Sequence, residues 1–385
     1  MNSEIENYTM NLIFITVDGA RADRIIHGNN YKKLIKKSAF FPKTITHAPY
    51  TIAAMHAIFT GTYGTKTGVN SYWSSSLFKK DQFKTLTSHL QDAGYYTYGD
   101  VINKLVLPKI GFDELVIHDE LNDDLTERHT KLLDKFAKIK KDQKFFLYLH
   151  YSNIHTGIMH EVLKKYDNFS KEYFDNKIQN EFFYDKLFTK ADEYLGTIIE
   201  HCEKLNLLED TLLVVISDHG ISVGEKLGER AYGVFCYDYT LISTALFHHS
   251  SITNKEIQQQ VRSIDIFPTI LEILSIKQDS SLQPIDGKSL IPILQGISDP
   301  RISFSQSGNP LKTGQPPKEP NVWAVRTDKW KFIRNTHNGT EELYNLEDDP
   351  QEEENLIQHN SKKASELRNK LQELSQSKLQ NKIGT

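Results

Sequence analysis

Three short apolar runs, each stopping on residues able to bind a metal or carry a proton, restrict this chain more than any other feature. They are NLIFITVD (11–18), KFFLYLHYSNIH (144–155) and DTLLVVISDHG (210–220). Short runs of this kind, apolar at nearly every position, suit strands buried on both faces, as in a parallel sheet. Helical patterning covers 31–38, 52–60, 83–93, 126–140 and 186–205. The alternation predicts an open α/β sheet with helices on both faces. In such sheets ligands bind beyond the carboxyl ends of the strands. Asp18, the Asn153–His155 segment and Asp218-His219 are therefore expected at one edge.

Further along, IDIFPTILEIL (264–274) reads as a helix, and DGKSLIPILQG (286–296) as a loop with a short helix. The texture changes near residue 300. NVWAVRTDKWKFIRN (321–335) alternates like antiparallel strands, EELYNLEDDPQEEENLI (341–357) reads as a strand and an acidic turn, and 359–380 is polar and helical. The expected organisation is a catalytic α/β domain over 1–299 and a smaller α+β subdomain over 300–385. The Lys/Gln-rich tail beyond 375 is expected to fray.

Composition narrows the function classes. The chain has 385 residues, 38% of them hydrophobic and 25% charged, with a net charge of −4. That balance suits a folded globular chain. No basic stripe supports nucleic-acid binding. No run approaches the roughly 18 apolar residues of a membrane helix. Cys202 and Cys236 lie outside any zinc-type spacing, and two reduced thiols fit a cytoplasmic protein better than a disulfide framework. The first apolar run follows an acidic stretch and ends in Asp18, so it suits a buried strand better than a secretory leader.

Several side chains carry two readings. Asp18, at a strand end, is a loop cap or a metal ligand. Asp218-His219 offers consecutive oxygen and nitrogen ligands suited to a divalent ion, or else forms an ordinary turn. Thr51 opens the apolar stretch TIAAMHAIFTG. A Thr there is an N-cap, or a nucleophile where the helix start favours an anion. His56 fits packing better than ligation. Lys226 and Arg230 are candidate clamps for anionic oxygens, Arg bidentately, or solvated loop charges. Asn70 and Asn103-Lys104 are weaker candidates for lining a pocket. Lys329 and Lys331, flanking Trp330, read as surface charges.

Taken in order, Asp18, Thr51, Asp218 and His219 make the chain resemble the sulfatase family of the alkaline phosphatase superfamily. NLIFITVDGARAD resembles the family's opening strand and metal Asp. TIAAMHAIFTG has the length and ending of its signature C/S-x-P-S/A-R-x-x-x-L/F-T-G, and ISDHG resembles its second metal motif. VRSIDIFPTILEIL with DGKSLIPIL, and AVRTDKWKFIRN with ELYNLEDDPQEEENL, resemble later landmarks. The departures are equally specific. Thr51 replaces the Cys or Ser that becomes formylglycine, Ala53 and Met55 replace the signature Pro and Arg, and Gly19 follows Asp18 where many members carry a second Asp.

The resemblance implies an alkaline-phosphatase-like, mostly parallel sheet. It implies one divalent ion (Mg, Ca, Mn or Zn) held by Asp18, Thr51, Asp218 and His219, with no formylglycine. A Thr nucleophile resembles the nucleotide pyrophosphatase and phosphodiesterase branch, but the His-free segment 221–240 shows no second metal site of that kind. His155 matches a family His that protonates the leaving group. The expected activity is hydrolysis or transfer of a phosphate or sulfate ester through Thr51. The ester would be a small anionic molecule or a glycan- or lipid-linked group. The alternative is a degenerate sulfatase-like protein that binds anionic ligands without catalysis.

Overall fold

The computed structural model describes residues 10–309 and 317–376. Its nine-stranded sheet contains β1 (Asn11–Val17), β2 (Ala39–Ile45), β3 (Tyr96–Val101), β4 (Glu114–Ile117), β5 (Phe145–Tyr151), β6 (Thr211–Ile216), β7 (Ile242–His248), β8 (Lys255–Glu256) and β9 (Val261–Arg262). The spatial order is β4-β3-β5-β1-β6-β7-β2-β8, with β9 also paired to β2. β7 runs antiparallel to both β6 and β2, and the other pairings are parallel. The three apolar runs are thus the central strands β5-β1-β6, flanked on both sides and covered above and below.

Strand alternation sorts their side chains into two cores. Ile13, Ile15 and Val17 of β1 join Leu147 and Leu149 of β5 and Leu213 and Val215 of β6 on one face. Leu12 and Phe14 join Tyr148, Leu212, Val214 and Ile216 on the other. The period of two is that of a strand, and burying both parities explains why the runs carry almost no polar residue. Helices Leu125–Ile139 and Lys177–Lys204 cover the first face, and Thr51–Thr60, Leu86–Asp92 and Ile266–Ile273 the second.

A second, four-stranded antiparallel sheet is formed by β10 (Ser303–Ser307), β11 (Val322–Arg326), β12 (Trp330–Asn335) and β13 (Thr340–Asn345). Helix Ser361–Ser375 packs Ala364, Leu367 and Leu371 onto Phe304, Val325, Phe332 and Leu343. The same cluster takes in Ala57 and Tyr63, so the small sheet abuts the end of the helix begun by Thr51. The expected fraying beyond 375 falls largely on 377–385, outside the described residues.

One expectation fails here. Lys331 is not a surface charge: its side chain is 0% exposed and pairs with Asp238 at 2.8 Å and Glu352 at 2.7 Å. Alternation along β12 turns Lys331 toward the main body, where Arg326 also holds Asp238. Lys329 is exposed, as expected, and pairs with Glu347. Cys202 and Cys236 are both free and buried.

Candidate active site

The carboxyl ends of β1 and β6 deliver Asp18 and Asp218-His219 to one point, and helix Thr51–Thr60 starts beside them. Asp18, Asp218 and His219 each offer a ligand atom, all within 4.8 Å of one another. Gly19, with φ +74°, turns the chain sharply after Asp18, a conformation that glycine adopts at little cost. Its N–H donates to Asp218 Oδ1 at 3.1 Å, and the His219 N–H donates to the same oxygen at 3.0 Å.

Thr51 is not a cap. Tyr50 holds the cap position with extended backbone and no capping side chain, and Thr51 is the first helical residue. Its hydroxyl donates to Asp18 Oδ2 at 3.2 Å and lies 3.4 Å from His219 Nε2. His219 Nδ1 sits 2.8 Å from the Gly220 carbonyl, which can only accept, so Nδ1 carries the proton and Nε2 presents a lone pair. The first-turn N–H groups of the helix have no intrahelical acceptor, which suits an anion at Thr51.

The electrostatics follow from burial. Burial would raise the Asp18 carboxyl, but His155, His150 and His219 around it hold it well below the ordinary carboxylate range. Burial and the neighbouring Asp18 charge push Asp218 up, because two close buried carboxylates resist joint ionisation. Asp18 Oδ1 and Asp218 Oδ2 are both buried and make no hydrogen bond. Buried carboxylate oxygens need a partner. Two such oxygens beside an imidazole lone pair fit a divalent cation.

His150 also belongs to the site, with Nε2 3.2 Å from Asp18 Oδ2. Its only signal in the sequence is that it interrupts an otherwise apolar strand. His155 lines the cavity above Thr51, its Nδ1 3.1 Å from the Tyr232 hydroxyl and 3.8 Å from Asp18 Oδ2. That cavity has a volume of about 480 Å³. Asn103 lines it, whereas Lys104 beside it is exposed and does not.

Three candidates sit elsewhere. Lys226 donates to the Glu352 carbonyl and lies over the Tyr237 ring, in a separate cavity against the small sheet. Arg230 is bound to Asn168 Oδ1 and the Leu163 carbonyl. Asn70 uses its backbone, accepting from Tyr50 and donating to Ser74, and does not line the cavity. The segment 221–235 folds onto Glu225 and Glu229 through Ser222, Val223, Val234 and Phe235, which turns both cations away from Thr51. His56 is buried in the helix with its ring against Phe78, as expected of a packing residue.

A second polar cluster, Asp100, His118 and His129, also brings ligand-type atoms together. Its valences are already used. His118 Nδ1 is 2.7 Å from Asp100 Oδ1 and its Nε2 is 2.9 Å from Ser152 Oγ. Arg128 Nε occupies Asp100 Oδ2 at 2.7 Å, and His129 Nδ1 meets the Tyr194 hydroxyl at 2.6 Å. An Arg on the carboxylate opposes a second cation there, and the cluster reads as a hydrogen-bond network.

Comparison with known proteins bears on the family and the fold. The sulfatase family model matches residues 10–276, and that of the N-sulphoglucosamine sulphohydrolase C-terminal region matches 235–380. Arylsulfatase K of Rattus norvegicus is 29% identical over 197 residues, covering 49% of this chain and 34% of the rat protein. The match thus spans about a third of that relative's length. Among solved structures, a protein in complex with its substrate D-glucosamine-2-N,6-O-disulfate superposes with TM-score 0.70 at 17% identity, covering 95% of this chain and 97% of the other. The phosphonate monoester hydrolase of Agrobacterium radiobacter superposes with TM-score 0.73 at 16% identity, covering 95% of each chain. At these identities the superpositions speak to the fold. With its family model matched along residues 10–276, well over half its length, the chain belongs to the sulfatase family.

Proposed function

We propose that the protein is a metal-dependent ester hydrolase or transferase that moves a sulfate, phosphate or phosphonate group through Thr51. The observation that carries this reading is the Thr51 hydroxyl, 3.2 Å from Asp18 Oδ2 and 3.4 Å from the His219 Nε2 lone pair at the floor of a cavity. Asp18, Asp218 and His219, with the Thr51 oxygen, would hold one divalent ion. When bound, that ion supplies positive charge at the Thr51 oxygen and at the oxygens of the transferred group.

The side chains of the chain perform the rest. Asp18 Oδ2, which already accepts from the Thr51 hydroxyl, takes the Thr51 proton as Oγ1 attacks sulfur or phosphorus. The bond to the alcohol oxygen breaks, and its electron pair stays with that oxygen. His155 gives the departing oxygen a proton. First-turn amides of helix Thr51–Thr60 bind the transferred anion. Thr51 then carries the group as an ester until water or a second alcohol takes it. His150 and Tyr232 hold Asp18 and His155 in place. The sulfatase relationship makes sulfate esters natural substrates to try first, and the phosphonate monoester hydrolase neighbour adds phosphonates.

The test is to quench turnover of aryl sulfate, phosphate and phosphonate esters and look by mass spectrometry for the adduct on the peptide containing Thr51. The adduct is expected in the wild type and absent in Thr51→Ala, which is expected to fold with little stability change because Thr51 makes no capping bond. Full turnover by Thr51→Ala would end the nucleophile proposal. Absence of turnover by the wild type on every ester, with intact anion binding, would favour a non-catalytic binding protein.

A further inference from the structure

The cavity above Thr51 has a wall whose charge is informative. Among the described residues that line it there is no Lys and no Arg. Besides Asp18 it carries two carboxylates, Asp119 and Glu120, two aromatic rings, Tyr72 and Tyr232, two imidazoles, His118 and His155, and five apolar side chains, Ile52 and Met159 among them. Asp119 is held in place. It follows β4 directly after His118, which is fixed by Asp100 at 2.7 Å and Ser152 at 2.9 Å. Asp119 accepts from the Leu121 N–H at 2.9 Å and the Asn122 side chain at 2.9 Å, and these bonds keep it ionised. Tyr72 is stacked on Tyr50 with ring centres 4.3 Å apart, and Tyr232 lies against the His219 ring at 5.0 Å. Deeper in the same cavity is Asp18, buried, with Oδ1 free of hydrogen bonds.

A bound divalent ion would offset the charges of Asp18 and Asp218, and the transferred anion would meet that ion. Asp119 and Glu120 would remain uncompensated at the mouth, where the departing alcohol must sit. An alcohol bearing a sulfate or carboxylate of its own would face two like charges with neither Lys nor Arg beside them, His155 being engaged at the departing oxygen. An alcohol bearing an ammonium group would face two carboxylates and two aromatic rings, whose faces attract cations. At about 480 Å³ the cavity is of the size that holds one small molecule.

Resting on the ester-transfer reading of Thr51, we propose that the substrate is a small ester whose alcohol portion is cationic, a compact alkyl- or aryl-ammonium alcohol, and not a polyanionic glycan. In the transfer the sulfur– or phosphorus–oxygen bond to that alcohol breaks, the oxygen keeps the electron pair and takes a proton from His155, and the ammonium alcohol leaves past Glu120 and Asp119.

The experiment uses phenyl esters carrying a para trimethylammonium, tert-butyl or carboxylate group, each made as the sulfate, phosphate and methylphosphonate. The first two substituents match in shape and differ in charge. The readout is the ratio of kcat/KM for cationic over neutral ester in the wild type, divided by the same ratio in Glu120→Gln, Asp119→Asn and Glu120→Lys, which cancels the intrinsic reactivity of the esters. The wild-type ratio is expected to exceed that of Glu120→Lys at least tenfold, with the two neutralising variants between. Calorimetry with the three phenols measures binding without turnover, and the ammonium phenol is expected to bind at least tenfold more tightly than its tert-butyl counterpart. Ratios within twofold across all four proteins, or equal binding of the two phenols, would overturn the proposal while leaving the Thr51 reading intact. Selective binding of the ammonium phenol with no turnover of any ester would overturn the Thr51 reading and uphold the charge selectivity. No turnover and no selectivity would overturn both.

Discussion

The Gly19 N–H donates to Asp218 Oδ1 at 3.1 Å, tying the turn after the first strand to the acid that ends the sixth. A second carboxylate at position 19 would add charge where Asp18 and Asp218 already face each other. With φ at +74°, the turn also excludes most side chains, and a Cβ there would meet Ile221 Cδ1 at 3.0 Å. Gly19→Ala is expected to cost about 1–2 kcal/mol from the left-handed backbone, measured by urea unfolding. It is also expected to lower metal affinity, because relief of the strain would shift the residue 19 N–H that donates to Asp218 Oδ1. An unchanged unfolding midpoint would show that the turn relaxes freely.

Asp218→Asn separates metal binding from folding. In metal-free protein the variant is expected to melt at or above the wild-type temperature, since it removes the repulsion between two buried carboxylates. With metal added, the wild type is expected to gain stability as metal concentration exceeds its dissociation constant, by about 2.7 kcal/mol at a hundredfold excess. The variant should gain much less and lose turnover. Equal metal-induced shifts in both proteins would remove Asp218 from the ligand set.

His47 predicts acid sensitivity at the joint between the two sheets. Its Nδ1 faces the Phe304 carbonyl at 3.3 Å, and its Nε2 accepts from the Gly64 N–H at 3.0 Å and lies 3.1 Å from the Gln306 amide. Protonating Nε2 breaks those contacts, and burial lowers the His47 pKa to about 4. The unfolded chain, with a pKa near 6.5, then binds the proton more readily. The stability from neutral His47 is therefore complete above about pH 6.5 and is lost as pH falls toward 4, by up to about 3 kcal/mol. His56, also lowered to about 4 by burial, acts in the same direction. Unfolding free energy measured from pH 7 to pH 4 should fall more steeply in the wild type than in His47→Gln. Parallel curves would exclude His47 as a source.

Lys331 predicts a large loss on neutralisation. Lys331→Met leaves Glu352 without its cation and Asp238 with Arg326 alone. Breaking a buried ion pair from one side costs about 3–5 kcal/mol, to be read from urea unfolding at pH 7. The loss is expected to shrink in a Lys331→Met/Glu352→Gln double variant, because the second change removes the stranded charge.

The central strands, the helices between them and the meeting of Asp18, Asp218-His219 and Thr51 were legible from residue order. Continuous apolar runs must be buried on both faces, and a parallel sheet then sends every strand end to the same edge. Local pattern could not tell that Thr51 enters the helix instead of capping it, because the cap position depends on the backbone angles of Tyr50. Nor could it tell that Lys331 is interior while Lys329, just before β12, is 62% exposed, since that depends on what covers the strand and the turn that leads into it. Lys226 and Arg230 looked like anion clamps because charge is a local property. Their partners, Glu352 and Asn168, are 126 and 62 residues away, and only the folded chain brings them together. His150, Tyr72 and Tyr232 entered the site for the same reason. Burial and strand period are written in short stretches of sequence, whereas the partner of a polar side chain is set by which distant segments the fold packs against it.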